Sequence, residues 1–457
     1  AGTTNKNGVL TLQVSKTLKN TALGKIINLV DEAQSSKAPI QCTADKIIPW
    51  FVSITLILAS LTFVFWFNES VEIALMAAVS VLIITCPCAF GLATPMAIAV
   101  ASGVGARMGV LVKHGAVLEI LSSIRHFVFD KTGTLTLGQM QVSTLFTVQH
   151  NHIEKFIPDE LLSERLTEQQ KKILSLSGSL EAYSEHTIAK AIVNFCQQYK
   201  LHKKMQLSQI KVVPGSGIQA DYQGQTIAIG SLKWIKGLAK GSDFWVELEQ
   251  SITDYRRLGS SVVYAWLENE LFCAFVIEDK LRDNAAEIVS QMHAQDFKLT
   301  LLSGDKQEVA DYMAGQLGIE EVIAEVMPDE KDRVIKLKQQ QGELIAMVGD
   351  GINDAPALVR ADVGIAMGSG TDVSIDSADV ILVNGELEKI PLAAELSRAT
   401  LLTIKQNIAL SIVYNIIMVP LAMAALITPL MAAISMPLSS LLVIANAARI
   451  RWRFRNK

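Results

Sequence analysis

The sequence predicts a membrane α-helical bundle joined to a doubly wound α/β domain, with an α+β block inserted into the latter. Three observations carry this. Half of the 457 residues are apolar, 19% are charged and mean hydropathy is +0.32, a balance too apolar for an ordinary soluble chain. The excess gathers in stretches of about 20 residues, the helix length that crosses a bilayer. Between those stretches, short apolar runs alternate with helical patterns, as parallel βαβ units require. Net charge is −4, from 41 Lys and Arg against 45 Asp and Glu, so no basic excess exists to neutralise phosphates and nucleic acid is excluded as a partner. Five Cys in this length form no disulfide framework.

The chain opens on a strand-like run, GVLTLQV, followed by a helix whose Leu23, Ile26, Ile27 and Val30 fall at helical spacing. Four membrane spans are expected. The first is Trp50 to Phe67, uncharged and with aromatic residues at both ends. The second runs from about Ile73 to Ala101 through Cys86-Pro87-Cys88, the third covers Ile408 to Ile427, and the fourth covers Pro429 to Ala448. Arg449, Arg451, Arg453, Arg455 and Lys457 follow the fourth span and place the C-terminus on the cytoplasmic side, because short basic flanks are retained there. Four spans then put residues 1–49 and the long central block on that side too.

In the central block the runs HFVFD, KLTLLSGD, LIAMVGDG, VGIAMG and DVILV read as strands, each closed by Gly or Asp. Three deliver acids at their ends: Asp130, Asp305 and Asp350. Carboxyl ends of strands line the ligand crevice in an open α/β sheet, so distant carboxylates are expected to converge there. From about Gly138 to Phe275 the pattern changes to helices near 160–200 and then Gly-punctuated strands, which reads as an insertion.

Asp130-Lys131-Thr132-Gly133-Thr134-Leu135-Thr136 resembles the phosphorylation motif of P-type ATPases, membrane pumps that pass through an aspartyl phosphate. A carboxylate nucleophile splits ATP hydrolysis into two easier steps; Thr132 and Thr134 offer hydroxyls and amides to phosphoryl oxygens. Ser303-Gly304-Asp305 resembles the family's TGD motif, Lys331 its phosphate-steadying lysine, and Gly349-Asp350-Gly351-Ile352-Asn353-Asp354 its GDGxND loop. The resemblance implies Asp130 as nucleophile, Mg²⁺ held by Asp130 and Asp350 with Asp354, and Asn353 and Asp354 steadying the loop. It also implies a haloacid-dehalogenase-like phosphorylation domain over 106–137 and 278–395 and a nucleotide-binding domain over 138–277. Residues 1–22 resemble the end of an actuator domain, 23–49 a connecting helix, 50–105 a membrane pair, and 396–457 the last two spans. Asp279 and Arg282 fit the hinge, with an ion pair between them.

EAYSEHTIAK resembles the SEHP signature of the metal-transporting branch, with His186 on the adenine side, Glu181 as helper, and Thr187 where Pro is usual. Gly215 and Gly217 resemble the glycine loop, and Gly230 and Ser231 a further ATP contact. Cys86 and Cys88 place two soft thiols around a Pro that removes a helix hydrogen bond. Tyr414 and Asn415, with Met436 and Ser440 four apart on one helical face, complete a route. Thiolate and thioether select Cu(I), and the Tyr-Asn pair and Met-x-x-Ser-Ser resemble the copper(I)-transporting members, although Pro437 departs from the small residue expected there. Asp45, at the inner end of the first span, resembles an entry-site carboxylate of these pumps, and a snorkelling surface acid is the equal alternative. His150-Asn151-His152 and the isolated Cys42, Cys196 and Cys273 are given no role.

The resemblance thus implies an ATP-driven Cu(I) exporter, multi-pass in a cell inner or plasma membrane. Membrane lipid and a cytosolic copper chaperone or thiol donor are its expected partners. A Zn/Cd-type exporter, a membrane-anchored phosphohydrolase, and a copper-sensing or chaperone-like membrane protein with a degenerate catalytic domain are the alternatives. No TGE dephosphorylation loop is present, so an N-terminally truncated chain with poor turnover is expected.

Overall fold

The computed structural model describes residues 39–85, 88–149, 152–159, 161–201, 205–239, 244–268, 271–327, 330–350, 354–368 and 376–455. The GVLTLQV run, the helix after it, Cys86-Pro87 and Gly351 to Asn353 lie outside them. The chain divides into two compact units, one of 1–128, 291–298 and 328–457, the other of 129–290 and 299–327.

In the first unit, helices Pro39–Phe67, Lys389–Met423 and Pro429–Arg453 are each long and apolar enough to cross a membrane. The expected second span is two helices rather than one. Val71–Ile84 stops at Thr85, whose hydroxyl donates back to the Val81 carbonyl at 2.7 Å, and Cys88–Arg107 begins beyond Pro87, which has no N–H to extend the ladder. These helices are built inside out. Ile54, Leu56, Ile416, Leu430, Ile434 and Leu441 are exposed while Thr62, Ser80, Thr94 and Ser102 are buried, the arrangement a lipid solvent favours. Trp66 Nε1 donates to Met423 O at 2.9 Å and Ser80 Oγ to Ile427 O at 2.9 Å, which satisfies two carbonyls at the turn between the last two spans.

The same unit holds strands Val110–Val112, Val380–Leu382, Val363–Met367 and Ile345–Gly349, neighbours in that order. The first pairing is antiparallel and the next two are parallel. Every residue of Ile345–Gly349 and Val363–Met367 is buried, as expected of strands covered on both faces. All five runs read as strands from the sequence are strands here.

In the second unit, Lys298–Leu302 pairs parallel with Glu321–Ile323. A separate antiparallel sheet runs in the order His152–Phe156, Thr136–Gln149, Leu271–Leu281, Ser261–Leu267, Gln225–Gly230, Gly217–Tyr222, Ser208–Val213. One of its faces packs on helices Glu168–Glu181 and Thr187–Gln198 through Ile173, Leu174, Ile192, Phe195 and Phe275, and the other on Trp245, Leu248 and Ile252.

Candidate active site

Asp130 closes the fully buried strand His126–Asp130 and is itself buried. The five residues after it form a tight loop that Gly133 allows, with φ +73°. Arg282 grips this loop: its Nε donates to Thr134 O at 2.8 Å, an Nη to Gly133 O at 3.0 Å, and its backbone N–H to Leu135 O at 3.0 Å. From the same hinge Asp279 accepts the Thr136 hydroxyl at 2.6 Å, and Thr136 Oγ1 accepts the Gly133 N–H at 3.0 Å. The expected Asp279–Arg282 ion pair is therefore replaced by two separate grips on the loop. Arg282 satisfies carbonyls that the tight turn leaves without partners, and Asp279 receives a hydroxyl that the strand Thr136–Gln149 aims at it.

Lys131 pairs with Asp305, so the loop and the Ser303-Gly304-Asp305 turn meet. Ser303 is buried and accepts the Asp305 N–H at 3.1 Å. Gly304 follows it in the turn, and Val326 N–H donates to Ser303 O at 3.2 Å. Thr132 is exposed. Thr134 differs from expectation: its hydroxyl is fully buried without a hydrogen-bond partner, and its carbonyl is what serves the loop, through Arg282. A cleft of about 510 Å³ opens beside Lys131, lined by Gln141, Asn194, Glu278, Asp279 and Tyr312 among others.

Lys331 opens the helix Lys331–Gln340 and Asp354 caps the helix Ala355–Arg360. The two form a buried ion pair at 2.6 Å. The other Asp354 oxygen is buried with no hydrogen-bond donor, and Asp350 stands half-buried at the end of Ile345–Gly349. A hard oxygen donor left without a proton partner, beside a second carboxylate in sequence, fits a divalent cation such as Mg²⁺. Asn353 lies outside the described residues, among which no cluster of three or more His, Cys, Asp or Glu gathers.

Glu181 ends its helix buried, and burial pushes its carboxyl up to about 7. His186 is exposed and caps the next helix, its Nδ1 accepting the Ile188 N–H at 3.3 Å. This ring-to-backbone cap fixes the imidazole although Thr187 stands in the usual Pro position. Gly217 and Gly230 are paired across neighbouring strands. A Cβ on Gly230 would lie 2.1 Å from Ser216 O, and one on Gly217 2.0 Å from Ile229 O. Close packing therefore demands both glycines, with Trp234 against them. Gly215 is in a turn at φ +69°, and Ser231 N–H donates to Ser216 O at 2.8 Å.

In the membrane helices, Tyr414 and Ser435 share a hydrogen bond of 2.8 Å. Asn415 donates to Ser411 O at 2.9 Å, while its amide oxygen is buried and without a donor. Ser440 donates to Met436 O at 3.4 Å. Cys86 lies outside the described residues, as does the side chain of Cys88. Ser435, Thr136 and the loop-facing role of Arg282 escaped the sequence reading. Only the Ser next to Met436 and the charged hinge DKLR were signals for them.

Residues 124–362 match the family of haloacid dehalogenase-like hydrolases. The chain is similar to the crystal structure of a zinc-transporting PIB-type ATPase in its E2.Pi state, with TM-score 0.76 and 31% identity over 94% of this chain and 67% of that one. The chain belongs to the PIB-type ATPases. Among curated relatives, a probable copper-transporting ATPase of Synechococcus elongatus is 38% identical over 98% of this chain and 59% of its own length. A copper-exporting P-type ATPase of Staphylococcus saprophyticus is 39% identical over 98% of this chain and 54% of its own. The chain thus spans between half and three fifths of the length of these relatives.

Proposed function

We propose that this protein exports Cu(I) across a membrane at the expense of ATP, through an aspartyl phosphate on Asp130. The carrying observation is the loop after Asp130, held rigid by Arg282 and Asp279 and joined to the Ser303–Asp305 turn by Lys131. A nucleophile on a loop whose carbonyls are fixed from behind approaches the γ-phosphate without reorganisation. A carboxylate oxygen of Asp130 bonds to the γ-phosphorus as the bond to the β-phosphate oxygen breaks, and ADP leaves; water later cleaves the acyl phosphate and restores the carboxylate. Lys331, held by Asp354, supplies positive charge for the phosphoryl oxygens. Asp350, with Asp130 and Asp354, would hold Mg²⁺, which offsets repulsion between the carboxylate and the phosphate when bound. His186 and Glu181 receive the adenine, with Gly215, Gly217, Gly230 and Ser231 shaping that face.

Copper is the cargo because the soft donors Cys86, Cys88 and Met436 favour Cu(I), and both curated relatives carry copper in their names. The zinc-transporting structural relative keeps a Zn(II) pump as the second reading. Phosphorylation shifts the population between metal-facing states. The protein is multi-pass in an inner or plasma membrane with its catalytic domains cytoplasmic, and a copper chaperone or thiol donor delivers the ion there.

The test is phosphoenzyme formation from γ-labelled ATP with Cu(I), Zn(II) or no metal. Hydroxylamine-sensitive label that requires Cu(I), vanishes in Asp130→Asn and loses its copper dependence in Cys86→Ser is the expected result. Label driven by Zn(II) instead overturns the cargo, and label surviving in Asp130→Asn overturns the nucleophile.

A further inference from the structure

We propose that a pocket between the basic ends of Lys389–Met423 and Pro429–Arg453 binds the phosphate of an anionic phospholipid headgroup. The cavity, of about 120 Å³, is lined by Gln406, Asn446, Arg449 and Arg453 with apolar Leu402 and Ile450 on its walls. It has room for a phosphate group and none for a nucleotide. A polar ladder across the helix crossing builds it. Buried Asn407 donates to Val443 O at 3.3 Å, and Asn446 donates to Asn407 Oδ1 at 2.9 Å and to Gln406 Oε1 at 3.4 Å. Asn446 Oδ1 in turn accepts from Arg449 at 3.1 Å. That single bond orients a guanidinium with five donors, so its remaining fork suits a phosphate. Arg453, one turn on along the same face, meets Glu395 at 3.5 Å, a long and partly exposed pair that a dianionic or monoanionic phosphate displaces cheaply.

Depth selects a lipid over a soluble anion. The uncharged stretch from Pro429 to Ala448 is about 30 Å of helix, so Arg449 begins at headgroup level. Exposed Leu402 beside the pocket and exposed Trp452 on the adjoining turn give acyl chains and the interface an apolar surface. Basic pockets between spans are the geometry that holds anionic headgroups.

The chain carries its own control. Arg451 lies on another face of the helix and Arg455 just past its end, so Arg451→Gln with Arg455→Gln removes the same charge at the same spacing as Arg449→Gln with Arg453→Gln. The intact protein is reconstituted in mixed phosphatidylglycerol and phosphatidylcholine nanodiscs, and phosphatidylglycerol retained after extraction is counted by native mass spectrometry. The pocket pair is expected to lose affinity about tenfold or more, and the control pair less than about threefold; Arg449→Lys alone is expected to keep most of the binding. Equal losses in both pairs would mean general surface charge and overturn the proposal, as would no loss in either. Competition by glycerol phosphate or inorganic phosphate as effective as short-chain phosphatidylglycerol would assign the pocket to a soluble anion instead. Unfolding temperatures of both pairs within a few degrees of the parent ensure that lost binding is not lost fold.

Discussion

At the scale of single residues, chemistry and support are carried by different side chains. In the proposed mechanism Asp130 supplies the reactive oxygen, while Arg282 holds the loop that follows it. Removing a charged donor from two carbonyls costs about 1.5–3 kcal/mol, so Arg282→Gln is expected to slow phosphoenzyme formation by about tenfold or more while leaving ATP affinity near its parent value. Arg282→Lys should recover part of the rate. An unchanged rate in Arg282→Gln, followed by rapid quench, would remove the residue from this role. Glu181 shows the opposite kind of support, in which burial sets the protonation state. Its folded value, about 7, lies above the ordinary 4.5, so the native state binds the extra proton. Its contribution to stability is complete below about pH 4.5 and is lost as pH rises through about 7. Glu181→Gln should flatten the fall in unfolding temperature between pH 5 and 8. Parallel slopes for parent and variant would show that Glu181 does not titrate in that window.

At the scale of elements, the proposed nucleotide face is shaped by packing. Gly217 and Gly230 face each other across an antiparallel pair with Trp234 against both. Gly230→Ala drives a methyl into Ser216 O and should lower stability by about 2–3 kcal/mol along with ATP affinity. Weaker ATP binding with an unchanged unfolding temperature would mean the glycine serves the ligand alone. The broken second span belongs to this scale too. A sequence window sees one apolar run from Ile73 to Ala101, whereas the backbone sees Pro87 and a Thr85 hydroxyl turned back on its own helix.

At the scale of the whole molecule, the membrane helices and the α/β blocks obey opposite solvents: one buries hydroxyls and exposes Leu and Ile, the other buries Phe127, Phe129 and Phe275. The proposed topology makes Asn68, after the first span, external and Arg455 cytoplasmic. Single Cys probes there, in a background lacking other reactive thiols, should be labelled from opposite sides by a membrane-impermeant maleimide. Labelling from the same side would remove the odd number of crossings, three, between them.

The sequence by itself determined five strands of the α/β block, three long spans and the membership of a pump family, and it singled out Asp130 as the proposed nucleophile, because these rest on local patterns. Alternation, bilayer length and a seven-residue motif are all readable without contacts. Only the tertiary structure decided that Arg282 and Asp279 grip the loop rather than each other, that the Thr134 hydroxyl faces inward, that Lys331 is paired with Asp354, and that Asn446 and Arg449 frame a pocket. Each of these depends on which of several partners a polar side chain meets. That choice is made by groups far apart in the chain, where burial makes an unsatisfied donor or acceptor costly.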